Sequence, residues 1–377
     1  MATDFEIVIV GAGPAGLSTG LHLVRLAPEL AARTLILEQA YHPRPKLCAG
    51  GVLPGAEPYL DRLGLDMRSV PSVPVHEIIF QFQNRRSVVR HEPVCFHAVR
   101  RDEFDAWLAD AACRRGLALQ EGTRVQRVAV QDGRALVTTG RGTLTSRVVV
   151  GADGAKSVVR RALAGRGESQ LARLLEVHPP ADPPPGIVGP GQALFDFSWI
   201  AHGVQGYVWD FPAPPDGQRV RTWGVYDSRV NPRVPAKSLK PTLETALARA
   251  GRPLGDTPLE GHPFRRFGRG APLAAPHVLL VGDAAGADPL VGEGISFALG
   301  YGEAAAAALR DAFLDEDFSF ADYRRRVLRH RSGRYLRRRA WVAYLFYHLR
   351  SRALIRLLWP LAVALMDRFF VDWGNGG

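Results

Sequence analysis

The spacing of apolar residues changes along the chain, and the changes define its elements. Phe5–Val10 (FEIVIV) reads as a buried strand, a Gly-rich turn follows, and helical spacing runs through Leu23. Thr34–Leu37 is a second strand that ends at Glu38, which completes a βαβ opening. Tyr41 to Gly55 is a Pro/Gly-rich loop. Strict alternation from Val75 to His91 predicts antiparallel strands. Asp102–Arg114 places Phe104, Trp107, Leu108 and Ala111 on one helical face. Val125–Val130, Ala135–Thr139 and Arg147–Val150 read as short strands, Pro179–Pro190 as a proline-dense connector, and Ala193–Trp223 again as sheet. Val278–Val281 is a buried strand, Gly292–Phe313 a long helix, and everything after Phe318 reads as helical.

Nucleotide-type strands thus lie near the start, middle and end of the chain, with antiparallel strands between them. The expected fold class is α/β, with a discontinuous Rossmann-type domain (1–74 with 95–175 and 270–315). It interleaves with an antiparallel-sheet substrate domain (75–94 with 176–269), and helices occupy 316–377.

Composition narrows the class. With 46% hydrophobic and 23% charged residues, the chain of 377 is no disordered polypeptide. Cys48, Cys95 and Cys113 are the three cysteines; they show no metal-ligand spacing, so no metal and no disulfide framework is expected. The first residues show no basic, cleavable leader, and a reducing cytoplasm is the expected location. Net charge is +11, but Arg324–Arg356 holds 12 arginines and no acid, which leaves the remainder at −1. The charge therefore belongs to one segment.

Three motifs carry chemistry. Gly11-Ala12-Gly13-Pro14-Ala15-Gly16 follows a strand and opens a helix. Gly11 permits the tight turn, Gly13 lets backbone approach a pyrophosphate, and Gly16 allows close packing of helix on strand. Glu38, 22 residues after Gly16, can accept hydrogen bonds from ribose hydroxyls. A carboxylate there suits FAD or NAD rather than NADP. Asp283, at the end of a late strand, can hold ribityl hydroxyls. Backbone at Gly294 and Ile295, opening a helix, can stabilise negative charge on a flavin ring; NAD enzymes have no use for this second site, so FAD is favoured. Gly151-Ala152-Asp153-Gly154 is the third motif, and Asp153 is either a cofactor contact or a turn aspartate paired with a nearby arginine.

Together these motifs resemble the FAD-dependent oxidoreductases of p-hydroxybenzoate-hydroxylase-like fold, across residues 5–315. Three further stretches resemble the geranylgeranyl reductase branch. They are Pro43-Arg44-Pro45-Lys46-Leu47-Cys48-Ala49-Gly50-Gly51, Arg101-Asp102-Glu103-Phe104-Asp105 and Gly206-Tyr207-Val208-Trp209-Asp210-Phe211-Pro212. One departure is Ala49, where many members have Gly. The resemblance implies FAD-dependent reduction of isoprenoid C=C bonds. It also implies FAD contacts at Ala15, Glu38, Cys48, Ala49, Gly51, Arg101, Val125 (through backbone), Asp283, Gly294 and Ile295.

Read from the residues alone, Tyr207, Trp209 and Phe211 alternate and share one sheet face, which is either sheet core or the wall of an apolar substrate pocket. Tyr207 and Cys48 are the candidate catalytic residues; Cys48 either acts chemically or packs as a small residue. Cys95 and Cys113 are expected to be structural, and no histidine is assigned to catalysis. The alternative activity is an FAD monooxygenase or halogenase acting on an aromatic or polyketide-like substrate. Tyr207 stands where a halogenase would carry a second tryptophan, two residues before Trp209. No second G-x-G-x-x-G marks a resident nicotinamide site, so the electron donor is NADPH, reduced ferredoxin or a quinol.

The basic C-terminal segment mixes arginine clusters with Trp341, Tyr344, Leu345, Phe346 and Leu349. Ala353–Met366 is apolar but carries Arg356 and Pro360 and falls short of the about 20 residues a spanning helix needs. Two expectations stand side by side: peripheral contact with an anionic membrane, or a helical cap over a substrate tunnel. Nucleic acid is not expected, because no recognition fold accompanies the charge.

Overall fold

The computed structural model describes residues 5–164, 170–178, 188–216, 219–349 and 351–374. Most of the expected Pro179–Pro190 connector lies outside the described residues. The first sheet has a parallel centre in the order 278–280, 142–151, 5–10, 34–37, 118–120. Its middle strand is apolar on both sides because both faces are covered; Ile7, Val8 and Ile9 are wholly buried.

Strand Gly142–Gly151 is longer than the apolar run Arg147–Val150 suggested. Its polar first half pairs antiparallel with Arg134–Thr139, while Ser146–Gly151 enters the parallel centre. One strand thus serves a half-exposed ribbon and a buried sheet, and only the buried half is continuously hydrophobic.

The second sheet has seven strands in the order 260–265, 171–177, 219–227, 206–216, 192–196, 77–82, 85–90. All pairs are antiparallel except 192–196 with 77–82. Leu171–Val177 lies within this sheet, so a boundary at residue 175 falls inside a strand. A small third sheet joins 51–52, 96–99 and 72–75.

Helix Pro14–Leu26 packs along helix Ile295–Asp315, which starts three residues later than the Gly292 of the expected helix. Contact is close: a Cβ on Gly302 would lie 2.4 Å from Ser18 Oγ. The Ser18 hydroxyl itself donates to the Leu299 carbonyl at 2.8 Å. The turn after strand 278–280 is set against the same first helix, since a Cβ on Gly282 would stand 2.7 Å from Ala15 Cβ. The openings of both helices, and the Asp283 turn, therefore meet at one place.

Three helices close the chain: Tyr323–Arg329, Arg331–His348 and Arg352–Gly374. Among the described residues no helix is long and apolar enough to cross a membrane. They are fastened by Arg339, which is wholly buried and donates to Asp288 Oδ2 at 3.0 Å and to Glu293. Its guanidinium also lies over the rings of Phe297 and Phe369. Tyr347 Oη donates to the Leu290 carbonyl at 2.7 Å.

Two predictions follow from this packing. Arg339→Met leaves two buried carboxylates without their cation and is expected to cost about 3–5 kcal/mol in urea unfolding. Adding Asp288→Asn and Glu293→Gln to it is expected to recover most of that loss; no recovery would show that Arg339 acts by packing alone. His22 is also wholly buried, and neither ring nitrogen has a hydrogen-bond partner among the described residues. Burial, partly opposed by Glu303, lowers its pKa from 6.5 to about 4. Between those values the unfolded chain binds a proton that the folded one does not, so stability falls as pH falls through that window. The contribution approaches about 1.4 kcal/mol per pH unit. A His22→Leu variant is expected to show a flatter stability profile from pH 6.5 to 4 than the parent; parallel profiles would rule this out.

Candidate functional site

The glycine loop is held by geometry that admits no side chains. Gly11 has φ +106°, and a Cβ there would lie 2.4 Å from the Ala152 carbonyl oxygen. A Cβ on Gly16 would lie 2.0 Å from the Gly11 oxygen. Gly13 differs: the nearest atom to its would-be Cβ is an Arg44 guanidinium nitrogen at 3.6 Å. Two glycines serve chain packing, and the third faces open space beneath a cation.

Glu38 is buried and accepts from Ala12 N at 2.9 Å and Ala40 N at 3.1 Å. It thereby braces the glycine loop, and a carboxylate retains acceptor capacity beyond two bonds. His42, which the sequence did not single out, spans the same loop. Its ring nitrogens lie 2.7 Å from Glu121 Oε1 and 3.1 Å from the Ala12 carbonyl.

Above Gly13 the site is cationic. Arg44 lies 3.4 Å from both Glu38 and Asp105. Its Nε is buried with no hydrogen-bond partner among the described residues. Arg101, opening the helix Arg101–Arg114, makes a bidentate pair with Asp105 at 3.0 and 3.1 Å. Burial works against the Arg101 charge, but Asp105 and Cys48 outweigh it and hold its pKa above the ordinary range.

Lys46 Nζ is 2.6 Å from His262 Nε2, from a strand of the other sheet. Burial lowers the Lys46 pKa, with Asp283 opposing; burial and then Lys46 push His262 down to about 4. A neutral imidazole accepts from the ammonium. Asp283 is pushed up by burial against the pull of Lys46, Arg101 and Arg265. A Cβ on Gly294 would lie 3.8 Å from Asp283 Oδ1, so the aspartate and the start of helix Ile295–Asp315 form one wall.

A buried Arg44 Nε that makes no hydrogen bond among the described residues, three cations and an open space over Gly13 suit a bound pyrophosphate. Asp283 and the Gly294–Ile295 helix start suit the flavin end of the same molecule. The residues present fit FAD.

Two expectations are corrected. Asp153 has no arginine partner among the described residues: it accepts from Val158 N at 2.6 Å and Val159 N at 3.3 Å, capping the helix Val158–Ala164. Arg160 turns away to the carbonyls of Pro272 and Ala284. Cys113 is exposed rather than packed, whereas Cys95 is buried. Val125 is buried at the start of strand 125–131, beside Thr139, and Thr123 N donates to the Glu38 carbonyl at 2.8 Å.

Strand Gly206–Asp216 separates two environments. Tyr207, Trp209 and Phe211 project to one face and are 6%, 2% and 5% exposed. Tyr207 and Phe211 meet Phe195, Phe197 and Phe96 in an aromatic layer with centroid separations of 4.9–5.4 Å, and Trp209 adjoins it through Tyr207 at 6.4 Å. Val208 and Asp210 face the opposite side, where Val208 packs with Trp223 and Leu243. Burial raises the Asp210 pKa to about 6, against the pull of its partner Arg221.

The aromatic layer is bounded by both flavin-site loops. Tyr207 Oη donates to the Val291 carbonyl, and a Cβ on Gly51 would lie 3.7 Å from the Phe211 ring. Cys48 Sγ accepts from Gly50 N at 3.4 Å within that second loop, and Ala49 is partly buried against the core. The fold therefore brings Cys48, Arg101, Asp283, Gly294 and the three aromatic residues to one locus.

Comparison with known proteins agrees with this geometry. Residues 4–300 match the model of the family described as FAD binding domain. Digeranylgeranylglycerophospholipid reductase 1 of Methanopyrus kandleri is 28% identical over 84% of this chain and 83% of its own length. Menaquinone reductase of Mycolicibacterium smegmatis is 26% identical over 81% and 76%. A solved geranylgeranyl bacteriochlorophyll reductase-like protein from Thermoplasma acidophilum superposes with TM-score 0.74 at 21% identity, covering 94% of this chain and 90% of the other. The match across most of the chain, with a site shaped for the same cofactor, means that the chain belongs to the FAD binding domain family and is an FAD-dependent oxidoreductase.

Proposed function

We propose that the protein saturates C=C bonds of an isoprenoid, of geranylgeranyl or polyprenyl type. The observation that carries this is the uncharged aromatic layer of Tyr207, Trp209, Phe211, Phe195 and Phe96, whose Phe211 and Phe96 rings lie against Gly51 of the Cys48–Gly51 loop. Such a layer offers an alkene dispersion contact and excluded water, and no anchor for a charged substrate. The names of both sequence relatives denote reductases of molecules that carry isoprenoid chains. Reduced FAD supplies a hydride.

The chain's own part is positional. Tyr207 is fixed by its bond to Val291, so its ring and that of Trp209 hold the alkene in one orientation. Arg101, locked by Asp105, stands beside Cys48 and keeps that thiol turned toward the site. We assign Cys48 to proton delivery or to control of how far reduction proceeds. NADPH or reduced ferredoxin is the proposed electron source.

The cofactor contacts are tested without turnover. Glu38→Ala removes a charged acceptor worth about 1.5–3 kcal/mol, so FAD affinity, read by flavin fluorescence, is expected to fall about ten- to a hundredfold. Unchanged affinity would remove Glu38 from the ribose contact. Acid precipitation of the parent is expected to leave the yellow flavin in the supernatant, since the contacts described are non-covalent.

Anaerobic turnover tests the reaction. Chemically reduced enzyme is expected to saturate a geranylgeranyl lipid without oxygen. Tyr207→Ala and Trp209→Ala are expected to slow it by about 10²-fold while FAD is retained. A strict oxygen requirement with a hydroxylated or halogenated product would establish the monooxygenase or halogenase alternative instead. Normal reduction by both variants would reduce the aromatic layer to sheet core.

A further inference from the structure

The closing helices have two different faces. The inner face is fastened to the body by Arg339, Tyr347 and Trp359. The outer face of helix Arg331–His348 carries arginines in its first half, then Trp341, Tyr344 and Leu345, all exposed. Helix Arg352–Gly374 adds exposed Leu354, Leu357 and Leu361, spaced three and four residues apart. Leu357 and Leu361 are 73% and 66% exposed, a high cost in water for two leucines on one helical face.

Helices Tyr323–Arg329 and Arg331–His348 line an open cavity of about 590 Å³ with Arg324, Arg325, Arg329, Arg334 and Arg337, and Arg337 lies one turn before Trp341 on the same helix. No acidic side chain lines it. Arg324 is held by the Ala271 carbonyl at 2.7 Å, and Arg325 reaches Asp322 at 3.5 Å. Arg329 and Arg337 have no acidic partner among the described residues. Five guanidinium groups gathered around one cavity, only Arg325 among them beside a carboxylate of the described residues, repel one another unless an anion sits among them.

We propose that this face docks on a bilayer containing anionic phospholipid. The arginine cavity takes headgroup phosphate, and the leucine and aromatic ridge enters the acyl boundary. Each half completes what the other lacks, as an interfacial helix requires. A nucleic acid would cover the arginines but leave the leucines in water. A second copy of the chain, paired about a two-fold axis through this face, would bring like charges together.

The docking face also lies close to the aromatic layer. Trp359, on the inner side of the leucine helix, is 5.7 Å from Phe197, and Phe197 is 5.2 Å from Tyr207, centroid to centroid. A membrane-borne chain would enter within two aromatic rings of Tyr207. That consequence rests on the reductase reading, whereas the docking itself does not.

The test uses the full chain loaded with FAD and involves no turnover. Co-sedimentation is measured with phosphatidylcholine vesicles and with mixed phosphatidylglycerol/phosphatidylcholine vesicles. Binding is expected on the anionic vesicles only, weakened but not abolished between about 0.1 M and about 1 M salt. Arg329→Gln with Arg337→Gln is expected to weaken it by about fivefold per residue. Leu357→Ser with Leu361→Ser is expected to abolish the salt-resistant part while low-salt binding persists. All four residues lie on the surface, so unchanged thermal midpoints and flavin content confirm that the variants fold. Equal binding to both vesicle types, binding to neither, or parental binding by the arginine variant would overturn the proposal. Release by millimolar inorganic phosphate at constant ionic strength would also overturn it, in favour of a soluble phosphate ligand.

Discussion

The whole site depends on three approaches too close for a side chain on the glycine. Gly11 lies against the Ala152 carbonyl, Gly16 against Gly11, and Gly282 against Ala15. Two of these contacts, Gly11 with Ala152 and Gly282 with Ala15, join residues far apart in the chain, and none leaves distance to adjust. A Cβ at Gly11, Gly16 or Gly282 would force the first helix away from either the strand behind it or the turn that carries Asp283. The phosphate end and the flavin end of the site would then separate. Glu38 reinforces the same arrangement from the next strand by binding Ala12 N.

Against that rigid centre, the two sheets do different work. The first sheet carries backbone and charge toward the nucleotide. The second presents one face of Gly206–Asp216 as hydrocarbon at Tyr207, Trp209 and Phe211 and keeps Asp210 on the other face with Arg221. Alternation along one strand therefore sorts a potential reaction surface from a domain interior. The closing helices bear on the same region, because Arg339 holds the Asp288–Glu293 loop whose carbonyl at Val291 fixes Tyr207.

What the sequence made legible were features whose signal is local. The glycine loop, the shared face of Tyr207, Trp209 and Phe211, the discontinuous nucleotide sheet and the helical C-terminus all rest on spacing within about ten residues. The misses share a different character. His262 reaches Lys46 across 216 residues, and Arg339 reaches Asp288 across 51. No periodicity announces such pairs. Arg339 was hidden further by its neighbours Arg337 and Arg338, which are exposed, so a buried cation looked like one member of a solvated run. Strand Gly142–Gly151 was half read because its first residues are polar, and Asp153 stayed open between two roles because a helix cap and an ion pair look alike in sequence.

The strand order carries a consequence for synthesis on the ribosome. Strand Phe5–Val10 emerges early, yet its neighbour on one side is Gly142–Gly151, and that strand's outer parallel neighbour is Val278–Leu280. The helix that packs along Pro14–Leu26 begins only at Ile295. At about 5–20 residues per second, the first strand waits many seconds for its sheet to be completed. Throughout that time its apolar edge has only Thr34–Leu37 as an early partner. Closing loops of this length before the contacts stabilise them makes the late segments, rather than the βαβ opening, the step that commits the nascent chain to its native form.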